Sequence, residues 1–227
     1  EVSKEITVKA GQKCTAVRRI FVPDALTDEV QSALIKRLAS TKVGDPSQEG
    51  VRMGALATQL QVARVRENAE LLAKSQEMVF GSLDEVQVHG ADAKQGAFFS
   101  PILFRNNNPF QQTDVHDIEC FGPVSTLMPY KSLEDAISLA RMGKGSLVSS
   151  IVTPADQEAM DYVLGAGSMH GRVLVLNERC AKESTGHGSP MPLLTHGGPG
   201  RAGGGEEMGG KRGVLHYLQR TAIQGHP

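Results

Sequence analysis

Gly145-Ser146-Leu147-Val148-Ser149-Ser150-Ile151-Val152 is a near-continuous run of small and β-branched residues, the pattern of a strand buried in a parallel sheet. On its C-terminal side, a helical pattern at 154–164 leads to a second apolar run at 172–176. On its N-terminal side, a strand pattern at 124–128 precedes the amphipathic segment Leu133–Met142. Strands that alternate with helices of this length predict an α/β domain, a mostly parallel sheet flanked by helices.

The preceding part of the chain continues the same alternation. Helical periodicity is present at 24–40 and over a long segment at 58–80, which Gly81 ends. Residues 42–46 are typical of a turn, and short strand patterns lie at 86–88 and 101–104. We therefore expect one continuous α/β arrangement over most of the chain.

Composition excludes several classes of protein. The 227 residues carry 24 Lys and Arg against 25 Asp and Glu, so the charge does not favour binding to nucleic acid or to an anionic membrane. The sequence contains no uninterrupted apolar span of about 20 residues. Its three cysteines are an odd number at wide spacing, which does not indicate a disulfide framework. A cytoplasmic protein with no membrane span is the expectation.

The first residues suggest that the sequence is part of a longer protein. The chain begins with Glu1 rather than Met, inside an apparent amphipathic helix that contains Val2, Ile6 and Ala10. We expect further residues upstream of Glu1.

A cysteine lies in a short segment between that helix and an apolar strand. Gly11 can end the helix, because glycine adopts backbone angles that other residues avoid. Cys14 follows, with Lys13, Arg18 and Arg19 near it in sequence, and positive charge favours the thiolate form. A free cysteine is also one of the residues most often buried for packing alone. From this segment alone, both a reactive and a structural role for Cys14 remain open.

A second segment, Glu119-Cys120-Phe121-Gly122-Pro123-Val124, combines a carboxylate and an aromatic ring. Two residues apart on an extended backbone, the side chains of Glu119 and Phe121 point to the same side. Such a pair can hydrogen-bond a sugar diol while the ring packs on a heterocycle. An exposed glutamate beside a core phenylalanine is the alternative.

Two further patterns do not support a site. The segment Gly198-Pro199-Gly200-Arg201-Ala202-Gly203 matches the dinucleotide glycine fingerprint, but the glycines that follow it oppose the helix this fingerprint needs. His187 and His196 lie near Cys180 without the close spacing of metal ligands. We expect no metal site.

Four segments together resemble the aldehyde dehydrogenase family. Gly11-Gln12-Lys13-Cys14, Val43-Gly44-Asp45-Pro46, the segment from Glu119 to Val124 and the segment 171–177 occur in the order and approximate spacing of its catalytic domain. The resemblance covers nearly the whole chain. Residues 182–225 resemble more narrowly the aldehyde dehydrogenase part of bifunctional ring-opening proteins of bacterial phenylacetic acid degradation. In those proteins a hydratase-like part opens an oxepin-CoA ring.

The resemblance implies roles for three residues. Cys14 would attack the aldehyde carbon as thiolate, with its own backbone N–H holding part of the oxyanion, and the thioester that forms after hydride loss would be hydrolysed. Glu119 would bind the ribose hydroxyls of NADP or NAD, and Phe121 would pack by the nicotinamide ring. Cys120 and Cys180 gain no role. The substrate would be a CoA-linked semialdehyde, since His196 replaces the aromatic residue that many members carry.

The resemblance also implies that parts of the enzyme are missing. The cofactor-binding domain, the general-base glutamate and the oxyanion asparagine would precede Glu1, and the hydratase-like domain would follow Pro227. We therefore predict a catalytic domain over 1–208 that is inactive alone. A C-terminal tail over 209–227 would carry an oligomerisation strand at 214–223.

Two other functions remain as alternatives. The chain could be an interaction module whose tail mediates homo-oligomer formation without activity of its own. It could also be a cysteine hydrolase, which requires a histidine base near Cys14. The nearest histidine in sequence is His89.

Overall fold

A computed structural model describes residues 1–180, 182–191, 193–208, 210–218 and 221–225. The first half of the chain contains three helices and five short strands. In chain order these are α1 (Val2–Thr7), β1 (Arg19–Pro23), α2 (Thr27–Ala39), β2 (Lys42–Gly44), β3 (Val51–Met53), α3 (Gln59–Ala73), β4 (Glu77–Phe80) and β5 (Val88–His89).

The second half contains the longer strands and the most regular helices. In order, these are β6 (Ile102–Arg105), α4 (Asp114–Asp117), β7 (Val124–Tyr130), α5 (Leu133–Met142), β8 (Ser146–Val152), α6 (Asp156–Ala166) and β9 (His170–Leu176). The described C-terminal part contains β10 (Thr195–Gly197), β11 (Glu206–Met208) and α7 (Gly210–Val214). No helix among these described residues combines the length and apolar content needed to cross a bilayer.

The strands form several small sheets in which parallel pairing predominates. The largest has the order β1-β7-β6-β4, with β1, β7 and β6 parallel and β4 antiparallel at one edge. A second sheet has the order β3-β2-β5 and is parallel throughout. β8 pairs in parallel with β9. The predicted mostly parallel α/β class is confirmed.

The core lies on both faces of the largest sheet. Leu103 and Leu127 pack with one group of apolar side chains that includes Leu38 of α2. Phe104 and Met128, one position along the same two strands, pack on the opposite face in the cluster that contains α3. Because successive side chains of a strand alternate between faces, β6 and β7 are apolar along most of their length.

Four segments differ from the sequence-based expectation. The run at 145–152 does form a strand, but β8 has a single parallel partner and most of its side chains stay half-buried. The segment 42–46 begins with β2 rather than being a turn throughout. The helix at 58–80 ends at Ala73, and its last residues form β4, because pairing with β6 overrides the apparent helical period. α1 ends at Thr7, before Ala10.

The C-terminal tail also differs from expectation. The edge strand expected at 214–223 is not formed in the described residues, since Val214 ends α7 and Leu215–Tyr217 form a 3-10 turn. Gln219 and Arg220 lie outside the described residues. The role of the tail in oligomer formation, and the domain boundary at 208, stay predictions.

Candidate active site

Cys14 lies at the tip of an exposed turn between α1 and β1. Lys9, Ala10 and Gly11 have positive φ angles of 53°, 52° and 68°, which reverse the chain direction before the cysteine. The backbone N–H of Ala16 donates to the Lys13 carbonyl at 3.0 Å, so Cys14 occupies a central position of the turn. Cys14 is exposed. Within the described part of the chain, no acceptor is recorded for its backbone N–H.

The cysteine turn contacts the second predicted segment where Gly11 lies against the backbone of Gly122. A Cβ at Gly11 would lie 2.2 Å from the Gly122 carbonyl oxygen, and one at Gly122 would lie 2.7 Å from a methyl group of Val65. A real Cβ does not approach a backbone oxygen so closely, so Gly11 must be glycine, and a Cβ at Gly122 would displace the Val65 side chain of α3. The segments around Cys14 and Glu119, far apart in sequence, therefore touch in the fold.

Glu119 and Phe121 both reach the surface next to this contact. The Glu119 side chain is 43% exposed, and its backbone carbonyl accepts from Asn68 Nδ2 at 2.8 Å. Phe121 is 39% exposed and has a φ of 48°, a conformation rare for an aromatic residue. The segment is thus not extended as expected. Strained backbone of this kind is concentrated at functional sites.

Arg18 connects the two segments through its guanidinium group. Nη2 lies 2.6 Å from Glu119 Oε1, and the guanidinium carbon lies 5.6 Å from the centre of the Phe121 ring. Nη2 also donates to the carbonyl of Lys13 at 3.1 Å. Burial lowers the pKa of Arg18, an effect that the Glu119 carboxylate opposes. Sequence analysis noted the charge of Arg18 but missed this connection, because its partner is far along the chain.

The other two basic residues near Cys14 bind elsewhere. Lys13 Nζ pairs with the buried carboxylate of Glu5 at 2.7 Å. Arg19 donates to the carbonyls of Leu139 at 2.8 Å and Ala140 at 3.1 Å. Burial lowers the pKa of Arg19 to about 10. The charged groups of Lys13 and Arg19 therefore bind a carboxylate and two backbone carbonyls away from the Cys14 thiol.

The two remaining cysteines, Cys120 and Cys180, are less exposed than Cys14. Cys120 is buried, which raises its pKa to about 12. Cys180 Sγ accepts from the backbone N–H of Asn177 at 3.4 Å, within a turn after β9. The structure therefore exposes Cys14 more than either of the other thiols.

The described histidines do not form a catalytic pair with Cys14. His187 Nδ1 lies 2.6 Å from Ser150 Oγ, and the His89 carbonyl accepts from Asp45 N–H at 2.9 Å. No recorded hydrogen bond among the described residues joins a histidine to Cys14. Nor does this part of the chain contain three His, Cys, Asp or Glu side chains placed to hold a metal ion. The hydrolase alternative therefore gains no support from the geometry.

The glycine-rich segment after β10 forms the loop of a hairpin. β10 and β11 form an antiparallel hairpin, so the segment is not part of a βαβ unit. A Cβ at Gly145 would lie 2.0 Å from the Pro199 carbonyl oxygen, and one at Gly171 would lie 1.9 Å from that of Gly197. Within the segment, a Cβ at Gly200 would lie 2.0 Å from the Lys144 carbonyl oxygen, so close packing accounts for this glycine without a bound nucleotide.

Comparison with known proteins gives a consistent result. Residues 1–223 match the sequence profile described as the aldehyde dehydrogenase family. The chain is 50% identical over 176 residues to "Protein MaoC" of Klebsiella aerogenes, covering 77% of this chain and 51% of that protein. It is 41% identical over 199 residues to the 3,4-dehydroadipyl-CoA semialdehyde dehydrogenase of Aromatoleum evansii, covering 88% of this chain and 39% of that enzyme. The chain therefore spans about half, or less, of these relatives.

Solved structures show the same fold. Betaine aldehyde dehydrogenase from Staphylococcus aureus, in complex with NAD+, matches 96% of this chain with a TM-score of 0.80. The identity is 23%, and the match covers 40% of that enzyme's chain. At this identity the likeness establishes the architecture alone.

Proposed function

Because the chain belongs to the aldehyde dehydrogenase family, we propose that it is the catalytic domain of an NADP- or NAD-dependent semialdehyde dehydrogenase. It would act within a longer protein and oxidise a CoA-linked semialdehyde to the acid. The observation that carries this proposal is the contact between the exposed Cys14 turn and the Glu119–Phe121 segment through Gly11 and Gly122.

Cys14 would provide the nucleophile. Its thiolate adds to the aldehyde carbon and forms a C–S bond, while the carbonyl oxygen takes the negative charge. The backbone N–H of Cys14, for which no acceptor is recorded in the described part of the chain, can donate to that oxygen. After oxidation the carbon is a thioester of Cys14. Attack by water then releases the acid and returns the thiol.

Glu119 and Phe121 would bind the dinucleotide. A half-exposed carboxylate can accept hydrogen bonds from both hydroxyls of a ribose, and a half-exposed ring can pack on a heterocycle. Both groups lie beside the cysteine turn, so the residues present fit this cofactor. When bound, the nicotinamide supplies the hydride acceptor. Glu119 and Phe121 contribute by orienting it.

The division into domains follows from the same proposal. The proposed catalytic domain covers 1–208, with the tail over 209–227. A cofactor domain before it would contain the residues that select NADP or NAD. It would also supply the general base and the second oxyanion donor. A hydratase-like domain would follow. We therefore expect the 227-residue chain alone to oxidise no aldehyde.

The substrate class is proposed from the relatives. The Aromatoleum evansii enzyme is named for 3,4-dehydroadipyl-CoA semialdehyde, and the similarity extends over most of this chain. A CoA-linked semialdehyde of phenylacetate degradation is therefore the substrate that we propose.

The test compares two cysteine substitutions in the full-length protein. Oxidation of the CoA-linked semialdehyde is followed by NADPH or NADH formation. Cys14→Ala removes the nucleophile and should abolish turnover. Cys180→Ala is the matched control, because among the described residues that thiol contacts backbone groups, and it should leave turnover within about twofold. Retained activity in Cys14→Ala would refute the proposal.

A second function, assembly into a homo-oligomer, is supported by the tail. Several large apolar side chains there are strongly exposed, namely Val214, Leu215, Tyr217, Leu218 and Ile223. Exposed apolar patches mark interaction surfaces. Size-exclusion chromatography with and without residues 209–227 tests this role. An unchanged assembly state after removal would contradict it.

A further inference from the structure

We propose that Arg18 is a positioning residue for the dinucleotide, acting through Glu119. This inference rests on the proposed function, which assigns Glu119 and Phe121 to the cofactor. The family match and the two relatives described above assign no role to Arg18. Its contacts on both sides of the site carry the proposal.

On one side, Arg18 holds the cysteine turn. Nη2 donates to the carbonyl of Lys13 at 3.1 Å, and Nη1 lies 3.4 Å from that of Ala16. These two carbonyls flank Cys14. The turn that presents the thiol is therefore fixed to the guanidinium.

On the other side, Arg18 pairs with Glu119 and also lies over the Phe121 ring. Nη2 lies 2.6 Å from Glu119 Oε1, a charge-assisted contact, and the guanidinium carbon lies 5.6 Å from the Phe121 ring centre. No hydrogen bond to Glu119 Oε2 is recorded within the described residues. One carboxylate oxygen is thus held, and the other is available to a ligand hydroxyl.

The geometry requires arginine rather than another cation. A planar guanidinium can contact a carbonyl, a carboxylate and an aromatic face at once, whereas a lysine ammonium is a single point charge. Arg18 Nε is buried with no hydrogen-bond partner in the described residues. Buried donors are normally satisfied, so this unpaired group indicates that the contacts at Nη1 and Nη2 determine where the side chain lies.

If the ion pair between Arg18 and Glu119 served only folding, its loss would lower thermal stability rather than cofactor affinity. The Glu119 carboxylate is 43% exposed, and an ion pair with one partner open to solvent contributes little to folding stability. If the pair matters mainly for positioning Glu119, its loss should change cofactor affinity much more than thermal stability.

The experiment is a double-mutant cycle in the full-length protein. Dissociation constants for NADPH and for NADH are measured by fluorescence titration in Arg18→Met, Glu119→Gln and the double variant. We expect Arg18→Met to raise the constant of the better-bound dinucleotide about tenfold. In the Glu119→Gln background the same change should have less than about a twofold effect, because the carboxylate charge that Arg18 holds is gone.

Arg66→Met is the matched control. Arg66 also donates to a backbone carbonyl, that of Leu83 at 2.9 Å, and lies over an aromatic ring, that of Phe99 at 5.9 Å. It should leave affinity within about twofold. If Arg18→Met fails to fold, Arg18→Lys replaces it, because lysine keeps the charge but cannot make all the contacts at once.

The outcomes separate this inference from the function on which it rests. If Glu119→Gln weakens binding but Arg18→Met does not, or if Arg18→Met acts equally in both backgrounds, the role of Arg18 is refuted and the proposed cofactor site stands. If Glu119→Gln changes neither constant, the cofactor role of Glu119 fails, and the proposal for Arg18 fails with it.

Discussion

Replacing Gly11 by alanine should separate the cysteine turn from the Glu119 segment. The new Cβ would lie 2.2 Å from the Gly122 carbonyl oxygen and 2.4 Å from its carbon, so the two backbones must move apart by about 1 Å. Alanine at a φ of 68° costs roughly 1–2 kcal/mol. Overpacking against backbone atoms adds about 1–3 kcal/mol. The expected total loss of stability is about 2–5 kcal/mol.

Gly204→Ala separates the two contributions. Gly204 has a similar φ of 72°, but a Cβ there would meet no atom within 4 Å. It should therefore show only the backbone cost of roughly 1–2 kcal/mol. Free energies of unfolding of the 227-residue chain in urea give the comparison. Equal losses for both variants, within about 0.5 kcal/mol, would refute the close approach of the two segments.

Three further predictions concern individual side chains. Iodoacetamide at pH 8 should label Cys14 before Cys120, because burial raises the pKa of Cys120 to about 12, and peptide mass spectrometry that finds Cys120 labelled first would contradict this. Burial lowers the pKa of His170 to about 4, so the unfolded chain binds a proton near pH 6.5 before the folded one does, and stability is lost as the pH falls from about 6.5 to 4. His170→Gln should reduce the loss in unfolding free energy between pH 7 and pH 5 by about 2 kcal/mol, and an unchanged pH profile would oppose this account. Lys13→Met leaves the Glu5 carboxylate buried without its partner and should destabilise the chain by about 3–5 kcal/mol in urea, whereas Arg179→Ala, which breaks an exposed pair with Asp156, should change stability by less than about 1 kcal/mol.

The local pattern of the sequence predicts the α/β class well. The helix Leu133–Met142 has the bounds that its periodicity predicts, and Ser132 with Asp135 forms the capping box that starts it. The strands β7, β8 and β9 are also found within a few residues of their apolar runs. In each of these elements, local preference and tertiary packing favour the same structure.

Elements that depend on distant partners were not predictable in this way. The segment Glu77–Phe80 continues a helical pattern and becomes a strand only because β6 offers it an edge. The tail at 214–223 alternates like a strand, but Val214 ends a helix, Leu215–Tyr217 form a 3-10 turn, and no strand partner is found for the described residues of the tail.

In the candidate site too, the sequence predicts the local motifs but not the contacts between distant residues. Cys14, Glu119 and Phe121 were found as separate motifs, and the resemblance to a family gave them roles. Their contact depends on the close approach of Gly11 and Gly122 and on the reach of Arg18, and neither has a local signal in the sequence. A positive φ at Phe121 could not be predicted either, because aromatic residues rarely adopt it.

The central claim is that Cys14 forms a covalent thioester during aldehyde oxidation. The most direct measurement is acid quenching of the full-length protein during turnover of a CoA-linked semialdehyde with NADP+ or NAD+, followed by peptide mass spectrometry. We expect the mass of the acyl group on the peptide that contains Cys14, and no acyl group on that peptide in Cys14→Ala. An acyl group on Cys120, Cys180 or another residue, or turnover by Cys14→Ala, would contradict the account.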